Sequence, residues 1–294
     1  MASVDRGRYG CLIGDQPVTA IKARELGHRG VVVGDRVALT GDTSGAPDAL
    51  ARIVRVRART SALRRSADDT DPVERVIVAN ADQMVIVSAL ANPAPGLRFI
   101  DRCLVAAYDA GLHPLLVLTK ADLAPPDDVL AVYEPIGLDT VVTSRPLREE
   151  VLGDLDARLA GHESVLIGHS GVGKSTLVNA LIPEAGRAVG GVNPVTGRGR
   201  HTSSSAVALR LGGPAGQGWV IDTPGLRSFG LGHVSADRVV QAFPDLAEAA
   251  AGCPPGCTHL AEDCALDDWV AEHGGAARLD SLRRILASRE GGDA

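Results

Sequence analysis

Apolar and polar residues alternate in short stretches over the first 66 positions, a pattern that predicts β-strands broken by turns. The stretches that predict strands are 9–13, 18–23, 31–39 with a turn at Gly34 and Asp35, and 51–59. In the last stretch apolar residues alternate with arginines from Arg52 to Arg59, which places the arginines on one face. That face is either the solvated outside of a small barrel or a surface that contacts nucleic acid.

From residue 73 onward the pattern changes to strands that alternate with helices, which indicates a parallel sheet. Continuous apolar runs predict strands at 83–90, 115–119, 140–143 and 164–167. Apolar residues at helical spacing predict helices at 97–110, 147–159 and 177–182. Residues 183–205 are rich in Gly, Pro, Ser and Arg, so we expect a long functional loop there. Two more strands at 206–211 and 219–222 are expected, and then a terminal helix with Leu279, Leu282, Ile285 and Leu286.

The composition predicts a large buried core, because 45% of the 294 residues are apolar and 22% are charged. A disordered chain and a small disulfide-stapled protein are both excluded. No apolar run reaches the roughly 18 residues that a membrane-spanning helix needs, and charged residues interrupt the first 30 positions, where a signal peptide would be apolar. We therefore expect a cytoplasmic protein of two or three domains.

The net charge of −6 is unevenly distributed. Residues 1–66 hold 12 Lys and Arg against 6 Asp and Glu, whereas the other 228 residues hold 18 against 30. The first segment is therefore basic, which suits contact with nucleic acid, and the remainder is acidic. Only three of the 30 basic residues are lysines (Lys22, Lys120 and Lys174), so a lysine in this sequence is weak evidence for a position where a guanidinium would not serve.

One stretch, 168–175, reads GHSGVGKS and matches the phosphate-binding loop G-x-x-x-x-G-K-[ST]. It follows a predicted strand and precedes a predicted helix, as such a loop requires. Its backbone NH groups would face phosphates, Lys174 would contact the outer phosphates, and the Ser175 hydroxyl would bind Mg²⁺. The candidate phosphate-binding residues are Gly168, His169, Ser170, Gly171, Val172, Gly173, Lys174, Ser175 and Thr176. An ATPase or a kinase with the same loop remains an alternative.

The stretch TKAD at 119–122 follows another predicted strand and resembles the guanine-reading N-K-x-D motif. The Asp122 carboxylate would accept from the ring NH and the exocyclic amine of guanine, a pair of donors that adenine does not present. Lys120 would lie along the loop and the base, and Thr119 stands where the motif usually has Asn. GTP or GDP is therefore the expected nucleotide.

The stretch DTPG at 222–225 also follows a predicted strand. There Asp222 can approach Mg²⁺ through water and Gly225 ends the motif, although four such residues alone also form an ordinary turn. In ordinary GTPases the phosphate loop comes first and the guanine motif late, whereas here TKAD precedes the phosphate loop and DTPG comes last. This order predicts a circularly permuted GTPase domain.

Three of the five cysteines and one histidine lie close together near the end of the chain: Cys253, Cys257, His259 and Cys264. Three thiolates and one imidazole are enough for a tetrahedral zinc site, and the Pro-Pro-Gly turn between the first two cysteines lets them converge. A closed site of this kind would bind one structural Zn²⁺ and fold a segment too small for a core of its own. A redox pair or a set of buried thiols is the alternative.

The succession of a basic strand-rich segment, a permuted GTPase and a Cys/His cluster resembles the ribosome small subunit-dependent GTPase A family. The resemblance implies three domains: an all-β OB-fold barrel that binds RNA at 1–66, a circularly permuted α/β P-loop GTPase domain at 67–232, and a small α-helical zinc domain at 233–294. It also implies an enzyme that binds the small (30S) ribosomal subunit and its rRNA and hydrolyses GTP during late maturation of that subunit. We expect a monomer without membrane contact.

The resemblance extends to the loop, where GRHT at 199–202 matches the family's switch motif. By this resemblance Thr202 senses the γ-phosphate and, with Ser175, binds Mg²⁺. Ras-like enzymes orient the attacking water with a Gln just after D-x-x-G, but that position is Leu226, which has no hydrogen-bonding side chain. His201 is therefore a candidate catalytic residue beside Thr202 and Lys174, with an exposed loop histidine as the alternative. A GTP-sensing RNA-binding module with little or no turnover is the alternative for the whole chain.

Overall fold

The computed structural model describes residues 1–5, 7–27, 30–66, 74–187, 206–225, 230–261 and 264–289. Within these ranges the amino-terminal part forms the strands β1 (Ser3–Asp5), β2 (Arg8–Ile13), β3 (Gln16–Lys22), β4 (Val37–Gly41), β5 (Ala51–Val56), β6 (Ala62–Arg65) and β7 (Arg75–Ala79). The central part contains β8 (Gln83–Ala89), α1 (Leu97–Asp109), β9 (His113–Thr119), α2 (Asp127–Tyr133), β10 (Thr140–Val142), α3 (Glu149–Leu159), β11 (Glu163–Ile167), α4 (Lys174–Leu181), β12 (Val207–Gly213) and β13 (Gly216–Asp222). The carboxyl-terminal part is helical, with α5 (Ala236–Gln241), α6 (Pro244–Ala250), α7 (Ala265–His273) and α8 (Ala276–Arg289).

The central sheet has five parallel strands in the order β10, β9, β8, β11 and β13, and β12 pairs antiparallel to β13. Strand β8 is buried along its whole length, which explains its continuous apolar sequence. Because parallel strands end at the same edge of a sheet, the residues after β9, β11 and β13 come together there. These are the three segments that carry TKAD, GHSGVGKS and DTPG.

Helices cover both faces of this central sheet, as expected for an α/β fold. Side chains alternate along β8, so that Met84 and Ile86 belong to the core on the side of α1, whereas Val85 and Val87 belong to the core on the side of α3 and α4. Helices α5 to α8 contribute to the first of these cores, since Leu246 and Leu282 belong to it. The predicted α/β architecture with a parallel sheet is confirmed.

The amino-terminal strands extend the same sheet in the order β1, β2, β3, β5 and β4, because β1 pairs with β12. They enclose a small core of their own, which includes Cys11, Val18 and Ile53. The antiparallel pair β6 and β7 forms a separate two-stranded sheet and spans the predicted boundary between residues 66 and 67. Closure of these strands into an OB-fold barrel and the three domain boundaries stay predictions.

The arginine face of β5 is real, but strict alternation does not produce it. Arg52 and Arg55 are three positions apart and both are exposed, because the pairing of β5 with β4 shifts by one residue and Val54 is the extra residue. Such a β-bulge shifts the alternation of side chains along the strand by one residue. Arg57 is also exposed, whereas Arg59 leaves the face and binds the buried Asp35 through Nε at 2.7 Å. The prediction that Arg59 belongs to this face is therefore wrong.

Most predicted elements are present with shifted ends, but several were missed. The strand expected at 31–39 begins only at Val37, and Val33 forms an isolated bridge with Val78 instead. Hydrophobic periodicity did not predict β1, β6, β7, α2 or α5 to α7, all of which have nine residues or fewer. In the predicted loop, Pro183–Ala185 forms a 3₁₀ turn, and 188–205 lies outside the described residues. None of the helices in the described ranges has the length and hydropathy that a membrane crossing requires.

A buried ion cluster joins the central part to the last helix. Asp101 on α1 accepts hydrogen bonds from the Tyr133 hydroxyl at 3.1 Å, from Ser281 on α8, and from Arg278 Nη1 at 3.4 Å. The Arg278 guanidinium also lies 4.3 Å from the centre of the Phe243 ring. Burial raises the pKa of Asp101, an effect that these donors oppose. The cluster ties α1 and α8 together through groups that are costly to bury unpaired.

Candidate functional site

The segment after β11 has the shape of a phosphate-binding loop. Gly168 passes so close to the carbonyl oxygen of Val87 on β8 that any Cβ would clash, and Gly171 and Gly173 have φ angles of 80° and 107°. Only glycine adopts such conformations without strain. The loop therefore turns tightly and leads into α4, which begins at Lys174 and directs its first NH groups toward the loop.

Lys174 lies inside this loop, with only 8% of its surface exposed. Its Nζ donates to the carbonyl oxygens of Gly168 at 2.6 Å and His169 at 2.9 Å. Burial lowers the pKa of Lys174 to about 8, and the nearby Asp222 carboxylate opposes the shift. A phosphate group in the loop would be an anionic partner for this ammonium, which among the described residues contacts only neutral carbonyl oxygens at hydrogen-bond distance. The His169 ring packs on Phe99 of α1, with 4.1 Å between ring centres.

The TKAD segment is attached to the phosphate loop by a hydrogen bond. Thr119, the last residue of β9, is buried and its Oγ1 donates to the carbonyl oxygen of Val172 at 2.5 Å. Lys120 adopts a left-handed φ of 63° and its Nζ donates to the carbonyl oxygen of Asn92. Thr119 therefore connects the TKAD segment directly to the phosphate loop.

Asp122 is oriented by the segment that follows β10. Its Oδ1 accepts from the backbone NH of Arg145 at 2.8 Å, and the Arg145 guanidinium donates to Thr176 Oγ1 on α4 at 2.8 Å. A small cleft lies between these residues and is lined by Thr119, Lys120, Thr143, Ser144, Arg145, Leu147, Gly173, Thr176 and Leu177. Asp122 does not line this cleft itself but is joined to it through the backbone NH of Arg145.

The DTPG segment lies beside the phosphate loop at the end of β13. Asp222 ends β13 and is nearly fully buried, and Arg187 Nε and Nη2 donate to its Oδ2 at 2.9 and 2.6 Å. Its Oδ1 is buried without a hydrogen-bond partner among the described residues. Gly225 lies against the backbone of Ser170, where a Cβ would stand 2.9 Å from the backbone nitrogen. An unsatisfied carboxylate oxygen here, with Ser175 in the first turn of α4, fits a hydrated Mg²⁺.

The Cys/His cluster has the dimensions of a tetrahedral zinc site. Cys264 Sγ lies 3.5 Å from Cys253 Sγ, 3.8 Å from Cys257 Sγ and 3.5 Å from His259 Nδ1. Zinc–sulfur bonds of about 2.3 Å in a tetrahedron place neighbouring sulfurs about 3.8 Å apart, so the four atoms fit one ion. Together with the 3.6 Å between Cys253 Sγ and His259 Nδ1, these distances favour a metal over a redox pair.

Arg283 of α8 fixes the loop that carries these ligands. Its Nε donates to the carbonyl oxygen of His259 at 2.9 Å, and its Nη2 donates to that of Ala261 at 3.0 Å. The same guanidinium binds both carboxylate oxygens of Asp267 on α7. Such outer contacts orient metal ligands and hold them at the correct distance.

Comparison with known proteins identifies the family. Residues 56–232, more than half of the chain, match the family described as RsgA GTPase. The chain belongs to the RsgA GTPase family. It is therefore a GTP hydrolase, as predicted from the motifs, and the predicted family is confirmed.

Relatives in the RsgA GTPase family match most of the chain. A small ribosomal subunit biogenesis GTPase RsgA of Pseudomonas syringae pv. tomato is 38% identical over 273 residues, which cover 88% of this chain and 75% of that protein. The protein of the same name from Pseudomonas aeruginosa is 40% identical over 273 residues, which cover 88% and 76%.

Two solved structures share the fold of this RsgA GTPase family member. One is described as YloQ, a circularly permuted GTPase, with a TM-score of 0.70, 24% identity, and coverage of 99% of this chain and 93% of that chain. The other is YjeQ from Thermotoga maritima, with a TM-score of 0.72, 23% identity, and coverage of 99% and 97%. These likenesses support the permuted order of motifs that the sequence predicted.

The structure brings together most of the predicted site residues of this RsgA GTPase family member. The phosphate loop, Thr119, Lys120, Asp122, Asp222 and Gly225 surround one edge of the sheet, and the four zinc-ligand candidates form one cluster. Their roles stay predictions. The candidates His201 and Thr202, and Leu226, lie outside the described residues. No sequence motif indicated three residues that contact the site, Asn92, Arg145 and Arg187. The available signal for Arg145 was its position three residues after the end of β10, and no local signal marked the other two.

Proposed function

We propose that this protein is a GTPase that binds the small ribosomal subunit through its rRNA and hydrolyses GTP during maturation of that subunit. The observation that carries the proposal is the meeting of the phosphate loop, TKAD and DTPG at one edge of a parallel sheet, in a chain that is 38% to 40% identical to proteins named for small ribosomal subunit biogenesis. The proposal includes bound Mg²⁺ and one structural Zn²⁺, an OB-fold amino-terminal domain, and a cytoplasmic monomer.

Within the site the chain's own residues divide the work. Lys174 and the loop NH groups bind the phosphates, and Asp122 selects guanine. Asp222 and Ser175 would hold a hydrated Mg²⁺, which would supply positive charge against the phosphates. His201 places the attacking water and Thr202 contacts the γ-phosphate. Because Leu226 cannot orient water, we expect slow intrinsic hydrolysis that the ribosomal subunit accelerates.

A turnover assay tests the enzyme against its alternative, a GTP-sensing RNA-binding module. GTP hydrolysis is measured as phosphate release with the protein alone, with purified small subunits, and with large subunits as the control. Multiple turnovers stimulated by small subunits alone support the proposal. Binding of GTP without turnover under all three conditions would favour the module.

The exposed arginines of β5 give the RNA contact a separate prediction. Replacing Arg52 and Arg55 with Gln should weaken binding to the small subunit, and the slope of log affinity against log salt should become shallower by about 1 to 2, since each phosphate contact releases counterions. A filtration binding assay at several salt concentrations measures both. The matched control replaces Arg98 and Arg148, two exposed arginines of the central part. Equal losses in the two double variants would show a general effect of charge and contradict the predicted interface.

A further inference from the structure

An arginine outside every predicted motif occupies the carboxylate that the magnesium site requires. Arg187 places two donors on Oδ2 of Asp222, at 2.9 Å from Nε and 2.6 Å from Nη2. The Arg187 side chain is 16% exposed and that of Asp222 is 3% exposed, so water screens this pair weakly. The guanidinium is therefore a fixed positive charge within the phosphate end of the site.

The backbone of Arg187 is held in place by α4, the helix that follows the phosphate loop. Asn179 on α4 donates from Nδ2 to the Arg187 carbonyl oxygen at 2.7 Å and accepts the Arg187 NH on Oδ1 at 2.7 Å. This double hydrogen bond has the pattern of a strand pair and fixes residue 187 relative to Lys174 and Ser175. The contact with Asp222 is thus supported at the backbone as well as at the side chain.

Two cations must share one buried carboxylate once magnesium is present. The Asp222 carboxylate carries one negative charge, Lys174 lies close enough to interact with it, and its remaining oxygen, Oδ1, has no partner among the described residues. Water bound to Mg²⁺ would donate to this carboxylate while the guanidinium still lies beside it. Like charges a few ångströms apart in a poorly screened site oppose each other, so each weakens the binding of the other.

We propose that Arg187 competes with hydrated Mg²⁺ for Asp222 and so lowers the affinity of the site for magnesium. The inference rests on the proposed function, because it concerns the metal that accompanies the nucleotide. In this role Arg187 opposes the metal only through its ion pair with Asp222. Magnesium would then bind at a carboxylate that is already paired with an internal cation, and this binding would weaken the ion pair between Arg187 and Asp222.

The test is a magnesium titration of the full-length protein with a fluorescent GDP analogue, read by fluorescence and without hydrolysis. Arg187→Gln should lower the Mg²⁺ concentration for half-maximal binding about tenfold, because removal of the internal cation leaves Asp222 free for the metal. Arg187→Lys, which keeps the charge, should stay close to the parent protein. Arg210→Gln, an exposed arginine of β12, is the control.

Each outcome of this titration decides the inference. An unchanged magnesium requirement in Arg187→Gln would overturn it. An increased requirement would also overturn it and would indicate that Arg187 orients Asp222 for the metal. If that variant does not fold, Asn179→Ala releases the backbone of residue 187 and should shift the requirement in the same direction by a smaller factor; no shift overturns the inference. A parent protein that binds no GDP analogue at any magnesium concentration would overturn the proposed function itself.

Discussion

Replacing Asp122 with Asn should lower the affinity for GTP by about a thousandfold and create affinity for xanthosine triphosphate. A carboxylate accepts two hydrogen bonds from guanine, and each bond to a charged group contributes about 1.5 to 3 kcal/mol. An Asn side chain instead presents an NH₂ donor, which opposes the guanine NH groups but suits the extra carbonyl oxygen of xanthine. The backbone NH of Arg145 still orients the side chain, because it binds Oδ1 of Asp122, an oxygen that Asn retains. Competition binding with GDP, ADP and xanthosine diphosphate measures the change.

A matched variant separates base recognition from a general loss of structure. Asp128→Asn makes the same change of a carboxylate to an amide at an exposed position of α2. It should leave the affinities for GDP, ADP and xanthosine diphosphate unchanged. If Asp122→Asn instead keeps its preference for guanine, the base lies elsewhere and the role assigned to TKAD is wrong. An equal loss for GDP and ADP would also contradict it, since the loss would then concern phosphate binding.

Replacing Cys264 with Ser should abolish zinc binding and unfold the segment that carries the ligands. Cys264 is the most buried of the four ligand candidates, and it directly precedes α7. Its carbonyl oxygen accepts a hydrogen bond from the NH of Asp267 in the first turn of that helix, at 2.9 Å. Structural zinc contributes on the order of 10 kcal/mol to the folding of small zinc-dependent units, far more than any single contact of this segment. Metal analysis of the parent protein should find about one zinc ion per chain, and that of the variant close to none.

The histidines of this region supply the control for the zinc prediction. His259→Ala removes a ligand candidate, whereas His273→Ala removes an exposed ring that stacks on Trp269 of α7. Only the first should lose zinc and become sensitive to protease near residues 253–264. A parent protein purified without chelator that contains no zinc would refute the site, and zinc retained by His259→Ala would assign the fourth ligand to another group.

The motifs could be predicted from the sequence because they are local. GHSGVGKS lies between a strand and a helix, and its glycines are required by the backbone itself, as the clash at Gly168 and the left-handed φ of Gly173 illustrate. The apolar run of β8 likewise reports burial on both faces. Such features depend on a few neighbouring residues, so periodicity and spacing are sufficient to find them.

What could not be predicted depends on residues distant in the chain. Arg187 meets Asp222 across 35 positions, and no pattern near residue 187 indicates this partner. The exposed arginines of β5 could be predicted, but the β-bulge at Val54 that brings Arg52 and Arg55 to the surface could not, because it arises from the pairing with β4. Short helices such as α5 are stabilised by packing on α6 and α8 more than by their own sequence.

The buried cluster around Asp101 also bears on how the chain folds during synthesis. Its partners Arg278 and Ser281 follow it by 177 and 180 residues, so α1 and the whole central sheet are synthesised before these partners emerge. Until then the Asp101 carboxylate has the Tyr133 hydroxyl but lacks the Ser281 hydroxyl and the charged Arg278 guanidinium, so burial of that side chain is unfavourable. Because domains generally fold in the order in which they are made, the nucleotide-binding part emerges early but completes its packing last.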